Sequence, residues 1–82
     1  MSISIGNILK NMRNINTNYT QKDLGKKLSI AYNTISSYER ENSQPSFDTI
    51  VKYAKECNFE IKIYNKKTGE LLTVEDMSKE LF

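Results

Sequence analysis

Apolar residues recur at intervals of three and four through the beginning of the chain. These positions are Ile5, Ile8, Leu9, Met12 and Ile15. Such spacing places apolar side chains on one face of a helix, with polar residues on the other. The pattern predicts an amphipathic helix over residues 3–14, followed by a polar loop over 14–18.

Two short helices are predicted next, joined by a tight turn. Thr20 can cap a helix over residues 21–28 through its hydroxyl, and Asp23 places negative charge in its first turn. After the turn at 29–31, a third helix is expected over residues 32–39, with Ile35 and Tyr38 on its inner side.

A proline marks the start of the fourth predicted helix. Pro45 cannot continue the preceding helix, and Ser46 is a suitable N-cap for a helix ending near Cys57. The expected core-facing stripe of this helix is Phe47, Ile50, Val51 and Ala54.

Beyond residue 58 the apolar period changes from helical to alternating. Phe59, Ile61 and Ile63 alternate with polar or amphipathic residues, which predicts a strand over 59–64. The turn-forming segment 65–69 ends in Gly69, and residues 70–74 can return as a second strand. Thr73 followed by Asp76 is also typical of a helix start, which favours a short terminal helix.

The length and the composition define what such a chain can contain. Its 82 residues and 38% apolar content suit one modest core. We therefore expect one domain, in which residues 1–58 form the main body and residues 59–82 an added C-terminal segment.

Cys57 is the single cysteine and histidine is absent, which excludes several kinds of chemistry. They are an intrachain disulfide, a Cys/His zinc site, a Cys-His nucleophile and a Ser-His-Asp triad. The chain also has no Gly-rich phosphate loop and no metalloprotease spacing. We expect no enzymatic activity, no cofactor and no metal.

Charge is distributed unevenly along the chain. The net charge is +2, but residues 1–55 carry eight basic and four acidic side chains, and residues 56–82 carry four and six. This asymmetry suggests different partners for the two segments, or only a solvated face. No apolar run approaches the roughly 18 residues of a membrane span, and a signal peptide pattern is absent, so we expect a cytoplasmic protein with no membrane partner.

Residues 19–40, YTQKDLGKKLSIAYNTISSYER, resemble the helix-turn-helix of the Cro/C1 family, also called the Xre family. The resemblance covers most of residues 3–58. It includes the Thr20-Gln21 opening, the small Gly25, the Thr34-Ile35 pair and the aromatic-Glu-Arg run at 38–40. It implies a mainly α, lambda-repressor-like four-helix DNA-binding domain, encoded by a bacterium, phage or plasmid.

Several motif residues have a mechanical reason. Gly25 suits the point at which two steeply crossing helices bring their backbones together, despite costing about 1 kcal/mol of helix propensity. The expected wedge between helices two and three is Leu24, Leu28, Ile30, Ile35 and Tyr38. Two residues depart from the family pattern: Ser29 replaces the usual Gly after helix two, and Ala31 replaces the usual capping Ser or Thr.

The resemblance also implies which residues contact DNA. A helix that projects from the protein surface can enter the major groove and present its N-terminal residues to base edges. The expected base-reading residues are Tyr32, Asn33, Ser36 and Ser37. The plainer alternative for these four is an exposed polar helix face.

Contacts to the DNA backbone are expected around that helix, because phosphate contacts set its register. The predicted set is Gln21, Thr20, Arg40, Asn42, Ser43, Gln44 and Lys22. Lys10 and Lys52 are further options that equally suit a solvated surface. Arg13 and Glu39 resemble the family's structural ion pair between helices one and three.

The C-terminal hairpin is expected to dimerise, since a lone two-stranded hairpin is marginal in water. The predicted interface is Phe59, Ile61, Ile63 and Leu71. Pairing with a second copy would space two recognition helices about one DNA turn apart. The alternative is that the hairpin packs on helix four within one chain.

These expectations describe a homodimeric, sequence-specific regulator of transcription that binds a pseudo-palindromic operator in double-stranded DNA as a repressor or autorepressor. One alternative is an antitoxin of the HipB type, which would also bind a toxin protein. Its expected toxin contacts are Val74, Met77, Leu81 and Phe82. Another alternative is a protein-binding adaptor that retains the fold without reading DNA.

Overall fold

The computed structural model describes residues 2–82 and is mainly helical within that range, as predicted. Its elements in chain order are α1 (Ile5–Asn16), α2 (Gln21–Leu28), α3 (Tyr32–Glu39), α4 (Phe47–Glu56), β1 (Lys62–Tyr64), β2 (Leu71–Thr73) and α5 (Val74–Met77). The predicted bounds of α2 and α3 are confirmed.

Helix α1 begins and ends two residues later than the predicted 3–14. Ser4 is its N-cap, with Oγ accepting a hydrogen bond from the Asn7 amide at 3.1 Å. At the other end, Asn16 Nδ2 donates to the carbonyl oxygens of Cys57 and Asn58 at 3.1 and 3.2 Å. The end of α1 is therefore set by a contact with the end of α4, which local sequence does not reveal.

Helix α2 starts at the predicted cap. Thr20 Oγ1 accepts from the Asp23 amide at 3.1 Å, and the Thr20 amide donates to Asp23 Oδ2 at 3.0 Å. This reciprocal capping box satisfies two backbone donors. The hydrogen bonds from Thr20 also lower the pKa of Asp23, so its carboxylate is charged at the positive end of the helix dipole.

The turn between α2 and α3 depends on two unusual positions. Ser29 adopts φ 57° and ψ 41°, a left-handed conformation in which glycine would be unstrained. The Ile30 amide then donates to the Gly25 carbonyl at 2.8 Å. A Cβ at Gly25 would lie 2.6 Å from the Ile30 carbonyl oxygen. The close approach expected at Gly25 is real, and the backbone it meets belongs to the turn.

The core lies where α1, α2, α3 and α4 meet. Its buried members are Leu9, Met12, Leu24, Ile35, Tyr53, Ala54 and Cys57. The predicted wedge residues Leu28, Ile30 and Tyr38 pack around them, partly buried.

Three residues predicted to face the core are instead exposed. Ile8 and Ile15 are 42% and 70% exposed, because α1 meets α3 and α4 along the narrower line of Leu9 and Met12. Phe47 is 60% exposed, because it lies in the first turn of α4 and lines a groove against α5. Tyr53, which the predicted stripe did not include, is completely buried in the core.

The C-terminal hairpin is shorter than predicted. Strand β1 begins at Lys62 and pairs with Thr73, while Tyr64 pairs with Leu71. Phe59 is excluded from the strand because its amide donates to the Ala54 carbonyl at 2.8 Å and closes the end of α4. Phe59 and Ile61 also pack against the core of their own chain.

The hairpin turn and the terminal helix follow the predicted chemistry. Gly69 has φ 79°, as the turn requires, and its amide donates to the Asn65 carbonyl at 2.8 Å. Thr73 caps α5 by accepting from the Asp76 amide at 3.1 Å. Val74 is buried at the start of α5. No helix in residues 2–82 combines the length and the apolar character needed to cross a bilayer.

Gly25→Ala tests the close approach in the turn. The added methyl group would displace the Ile30 carbonyl, and the overpacking outweighs the gain of about 1 kcal/mol in helix propensity. We expect the free energy of unfolding, measured by urea titration, to fall by about 1–2 kcal/mol.

Ser29→Gly is the matched control at the other end of the same turn. It relieves the left-handed strain, so the free energy of unfolding should rise by roughly 0.5–1 kcal/mol. A Gly25→Ala variant as stable as the wild type would contradict the proposed role of the turn.

Candidate nucleic-acid interface

The Glu39 carboxylate connects all four helices of the main body. Arg13 donates to it twice, from Nε to Oε2 at 2.9 Å and from Nη2 to Oε1 at 2.8 Å. Gln21 Nε2 donates to Oε1 at 3.2 Å, and the Tyr53 hydroxyl donates to Oε2. Glu39 is only 3% exposed. The last residue of α3 is thus tied to α1, α2 and α4 at one point.

Electrostatics keep this group ionised. Burial raises the pKa of Glu39, but the hydrogen bonds from Arg13, Tyr53 and Gln21 outweigh it and leave that pKa below its ordinary value. The hydrogen bond to Glu39 correspondingly raises the pKa of Arg13. Burial and the bond to Glu39 raise the pKa of Tyr53 well above its usual range, so its phenol stays a donor. We call Glu39, Arg13, Gln21 and Tyr53 the Glu39 hub. It is a buried ion pair in which each carboxylate oxygen of Glu39 accepts two hydrogen bonds.

One face of α3 is buried in the core and the other faces solvent. Ile35 is completely buried and Glu39 lies in the hub. On the outer side, Tyr32 and Asn33 are exposed and Ser36 and Ser37 are partly buried. The N-terminal outward surface predicted from the sequence is therefore available at the start of α3.

Tyr32 is held against α2. Lys22 Nζ lies 5.4 Å from the centroid of its ring, within the range of a cation–π contact. Both residues line an open groove of about 410 Å³ beside the start of α3, together with Lys26, Ser29 and Ala31. This contact places a positive charge next to the first turn of α3.

The segment after α3 folds back beside that helix. The Asn42 amide donates to the Ser37 carbonyl at 2.9 Å, and the hydroxyls of Ser37 and Ser43 share a hydrogen bond at 2.9 Å. Arg40, Asn42, Ser43 and Gln44 are all exposed. The structure thus brings this loop, residues 40–44, next to the outward surface of α3.

The remaining predicted contact residues differ in exposure and in the bonds that they already make. The Thr20 hydroxyl is engaged in the capping box, and Gln21 is partly buried by its bond to Glu39. Lys52 pairs with Asp48 at 3.1 Å on the exposed face of α4. Lys10 is exposed on α1.

Sequence reasoning did not identify Glu41 as a member of this region. Its Oε1 accepts hydrogen bonds from the Ser4 hydroxyl and, at 3.1 Å, from the Gly6 amide. These bonds lower the pKa of Glu41, so it is ionised at neutral pH. The contact spans more than thirty residues of chain, and Gly6 in the first turn of α1 is its one local signal. A Cβ at Gly6 would lie 2.6 Å from the Glu39 carbonyl oxygen.

Residues 2–82 hold no group of three or more Cys, Asp or Glu side chains arranged to bind a metal ion. The arrangement that does form consists of an exposed helix on a packed support, flanked by lysines and by a polar loop. That arrangement defines a helix-turn-helix DNA-binding domain.

Comparison with known proteins supports this class. A family model described as helix-turn-helix matches residues 9–63, about two thirds of the chain. The chain therefore belongs to the helix-turn-helix regulators of the Cro/C1, or Xre, type.

One similar protein is the HTH-type transcriptional regulator ImmR of Bacillus subtilis (strain 168). It is 36% identical over 77 residues, which cover 94% of this chain and 54% of the relative. The chain thus spans about half the length of this relative. No solved structure gives a significant match.

Arg13→Met tests the Glu39 hub. It leaves a buried carboxylate without its cation, so we expect the free energy of unfolding at pH 7 to fall by about 3–5 kcal/mol. The exposed pair Lys52–Asp48 provides the control, since Lys52→Met should cost less than about 1 kcal/mol.

The pH dependence gives a second measurement on the same variants. Because the pKa of Glu39 is lower in the folded protein than its ordinary value of 4.5, ionised Glu39 stabilises the wild-type fold at pH values above 4.5. This contribution is lost as the pH falls through the folded-state pKa. Without Arg13, the hydrogen bonds from Tyr53 and Gln21 remain but offset burial less, so that pKa should be higher in the variant than in the wild type. The difference in stability between the two proteins should therefore shrink between pH 7 and pH 4. A constant difference would show that the Glu39 charge is not involved.

Proposed function

We propose that this protein binds a specific pseudo-palindromic operator as a homodimer and represses transcription from it. The membership of the family makes it a DNA-binding regulator of transcription. The observation that carries the finer proposal is the exposed start of α3, which is braced through Glu39 and flanked by the loop of residues 40–44. Residues 1–58 serve as the DNA-binding part and residues 59–82 as the dimerisation part.

In this proposal the start of α3 reads base edges in the major groove. Asn33 is exposed and can bond the N6 and N7 atoms of an adenine at once. Tyr32, held by Lys22, offers its ring edge to a thymine methyl or its hydroxyl to a phosphate. Ser36 and Ser37 lie further along the same surface and contact bases or bridging water.

The DNA backbone contacts come from both sides of α3. Arg40, Asn42, Ser43 and Gln44 follow it in an exposed loop. Lys22 precedes it on α2, and Gln21 and Thr20 lie at the N-terminus of α2, where the helix dipole favours a phosphate. Gln21 has a second role, because its side chain supports Glu39 at the base of α3.

The proposed dimer uses the outer part of the hairpin. Ile63 and Leu71 are 43% and 55% exposed, and Tyr64, opposite Leu71, is 58% exposed. Three apolar side chains exposed on so small a sheet favour a partner surface. Phe59 and Ile61, also predicted for this interface, pack on their own core instead. The interface we propose centres on Tyr64 and Leu71, which are paired and share one face of the hairpin, with Ile63 exposed on the other face.

An antitoxin is the second candidate, and the exposed apolar end of the chain favours it. Met77, Leu81 and Phe82 are all exposed, whereas Val74, the fourth predicted toxin contact, is buried. Co-purification of a second protein with the full chain from its native cells, lost on Leu81→Asp, would support this candidate. An adaptor that does not read DNA would retain its partner while failing the DNA tests that follow.

Selection of bound duplexes from a random DNA pool tests the main proposal directly. We expect a sequence with two inverted half-sites, because a two-fold dimer reads each half alike. Asn33→Ala should then weaken binding to the selected duplex by about 1–3 kcal/mol and relax the preference at one base pair per half-site.

Asn11→Ala, the same change at an exposed position of α1, is the control and should bind as the wild type does. Recovery of no consensus sequence, with equal affinity for every duplex, would refute sequence-specific binding.

Leu71→Asp tests the dimer without disturbing the core. Sedimentation equilibrium should give a dimer mass for the wild type and a monomer mass for this variant, since a charge in an apolar interface is unpaired. Leu81→Asp, at a similarly exposed leucine in the tail, should remain dimeric. A Leu71→Asp dimer would place the interface elsewhere.

A further inference from the structure

Glu41 joins the loop of residues 40–44 to the N-terminus of α1. It lies between two proposed phosphate contacts, Arg40 and Asn42, yet its own carboxylate turns toward the start of α1. There it accepts from the hydroxyl of Ser4 and from the amide of Gly6. Ser4 is at the same time the N-cap of α1. One carboxylate thus connects the loop to a helix end.

The backbone at Glu41 is in a conformation that glycine adopts most easily. Its φ is 63°, and its amide donates to the Tyr38 carbonyl as α3 ends. A side chain at such a position introduces strain, which the contacts of that side chain must offset. The contacts with Ser4 and Gly6 are those that the structure shows.

The space around this contact has room for little else. A Cβ on Gly6 would lie 2.7 Å from Glu41 Cγ and 2.6 Å from the Glu39 carbonyl oxygen. Glycine at residue 6 therefore allows the chain after α3 to approach α1. The close approach at Gly6 and the hydrogen bonds of the Glu41 carboxylate therefore act together to hold the loop against the N-terminus of α1.

The negative charge of Glu41 argues against a direct contact with DNA. A carboxylate in a loop that faces phosphates weakens DNA binding through repulsion, unless it is turned away and offset. In this structure the carboxylate lies at the positive end of α1 and is hydrogen-bonded there. The geometry favours a role in holding the loop over a role in touching DNA.

We propose that Glu41 is a positioning residue for DNA binding, which seats the loop of residues 40–44 against α1 so that Arg40, Asn42 and Ser43 meet the phosphate backbone. This inference rests on the proposed function, because it assigns that loop to DNA. It adds a residue that contacts no DNA and still determines affinity through the loop. The Ser4 hydroxyl and the Gly6 amide are the donors that bind the Glu41 carboxylate.

Three variants of Glu41 separate position from charge and from strain. Glu41→Ala removes the contacts and one negative charge. Glu41→Gln removes the charge but keeps an oxygen that can accept from Ser4 and Gly6. Glu41→Gly removes the contacts and also the left-handed strain. Glu80→Ala, at an exposed position in the tail, makes the same change in net charge and is the control.

The probe is a fluorescein-labelled duplex carrying the sequence selected by the wild type, titrated by anisotropy at several salt concentrations. We expect Glu41→Ala and Glu41→Gly to bind roughly five- to tenfold more weakly, which matches the loss of one or two hydrogen bonds. Their slope of log Kd against log salt should also decrease by about 1, as expected for a lost phosphate contact. Glu41→Gln and Glu80→Ala should stay within about twofold of the wild type.

The outcomes distinguish this inference from its foundation. Tighter binding by Glu41→Ala would show that the carboxylate acts only through its charge, and equal binding would show that it has no effect on affinity. Either result would overturn the positioning role. Weaker binding with an unchanged salt slope would mean a loss of folded protein and would overturn it as well. If Asn33→Ala has no effect on binding, the proposed base readout fails; if Asn33→Ala weakens binding while Glu41→Ala does not, only the role of Glu41 fails.

Discussion

The orientation of α3 depends on one buried carboxylate. Glu39 ends that helix and receives hydrogen bonds from α1, α2 and α4 through Arg13, Gln21 and Tyr53. Apolar packing alone leaves a short helix free to rotate or slide, because the hydrophobic effect has no direction. Hydrogen bonds at fixed angles remove that freedom. The core supplies stability and buries the apolar side of α3, and the hydrogen bonds of Glu39 fix the end of that helix against α1, α2 and α4.

Local signals were enough to predict the elements closest to the site. The capping residue Thr20, the short turn and the inner residue Ile35 gave the bounds of α2 and α3 correctly. The close approach at Gly25 was also predicted, because glycine is a poor helix former and its presence inside a helix indicates that a side chain would not fit there. These features act within a few residues of chain, so the sequence contains both the cause and the effect.

Features set by distant contacts were predicted less well. The end of α1 depends on Asn16 meeting the end of α4, and Phe59 leaves the predicted strand because its amide closes α4. Within the site, the bond between Ser37 and Ser43 and the contact of Glu41 with Ser4 and Gly6 were also missed. A single sequence gives the periodicity of each element but not the partner that each polar side chain finds.

Within residues 2–82, three helices are followed by a left-handed residue that is not glycine, and the three residues differ in what they do. Ser29 follows α2 with an exposed side chain, whereas at Asn58 the backbone carbonyl accepts a bond from α1. At Glu41 the side chain itself makes the tertiary contact. Glycine would suit the backbone in each case, but only at Glu41 would it delete a link between helices. The strain at Glu41 therefore accompanies the contact between the loop of residues 40–44 and α1. For this reason Glu41, more than Ser29 or Asn58, links an exposed loop to the packed helices.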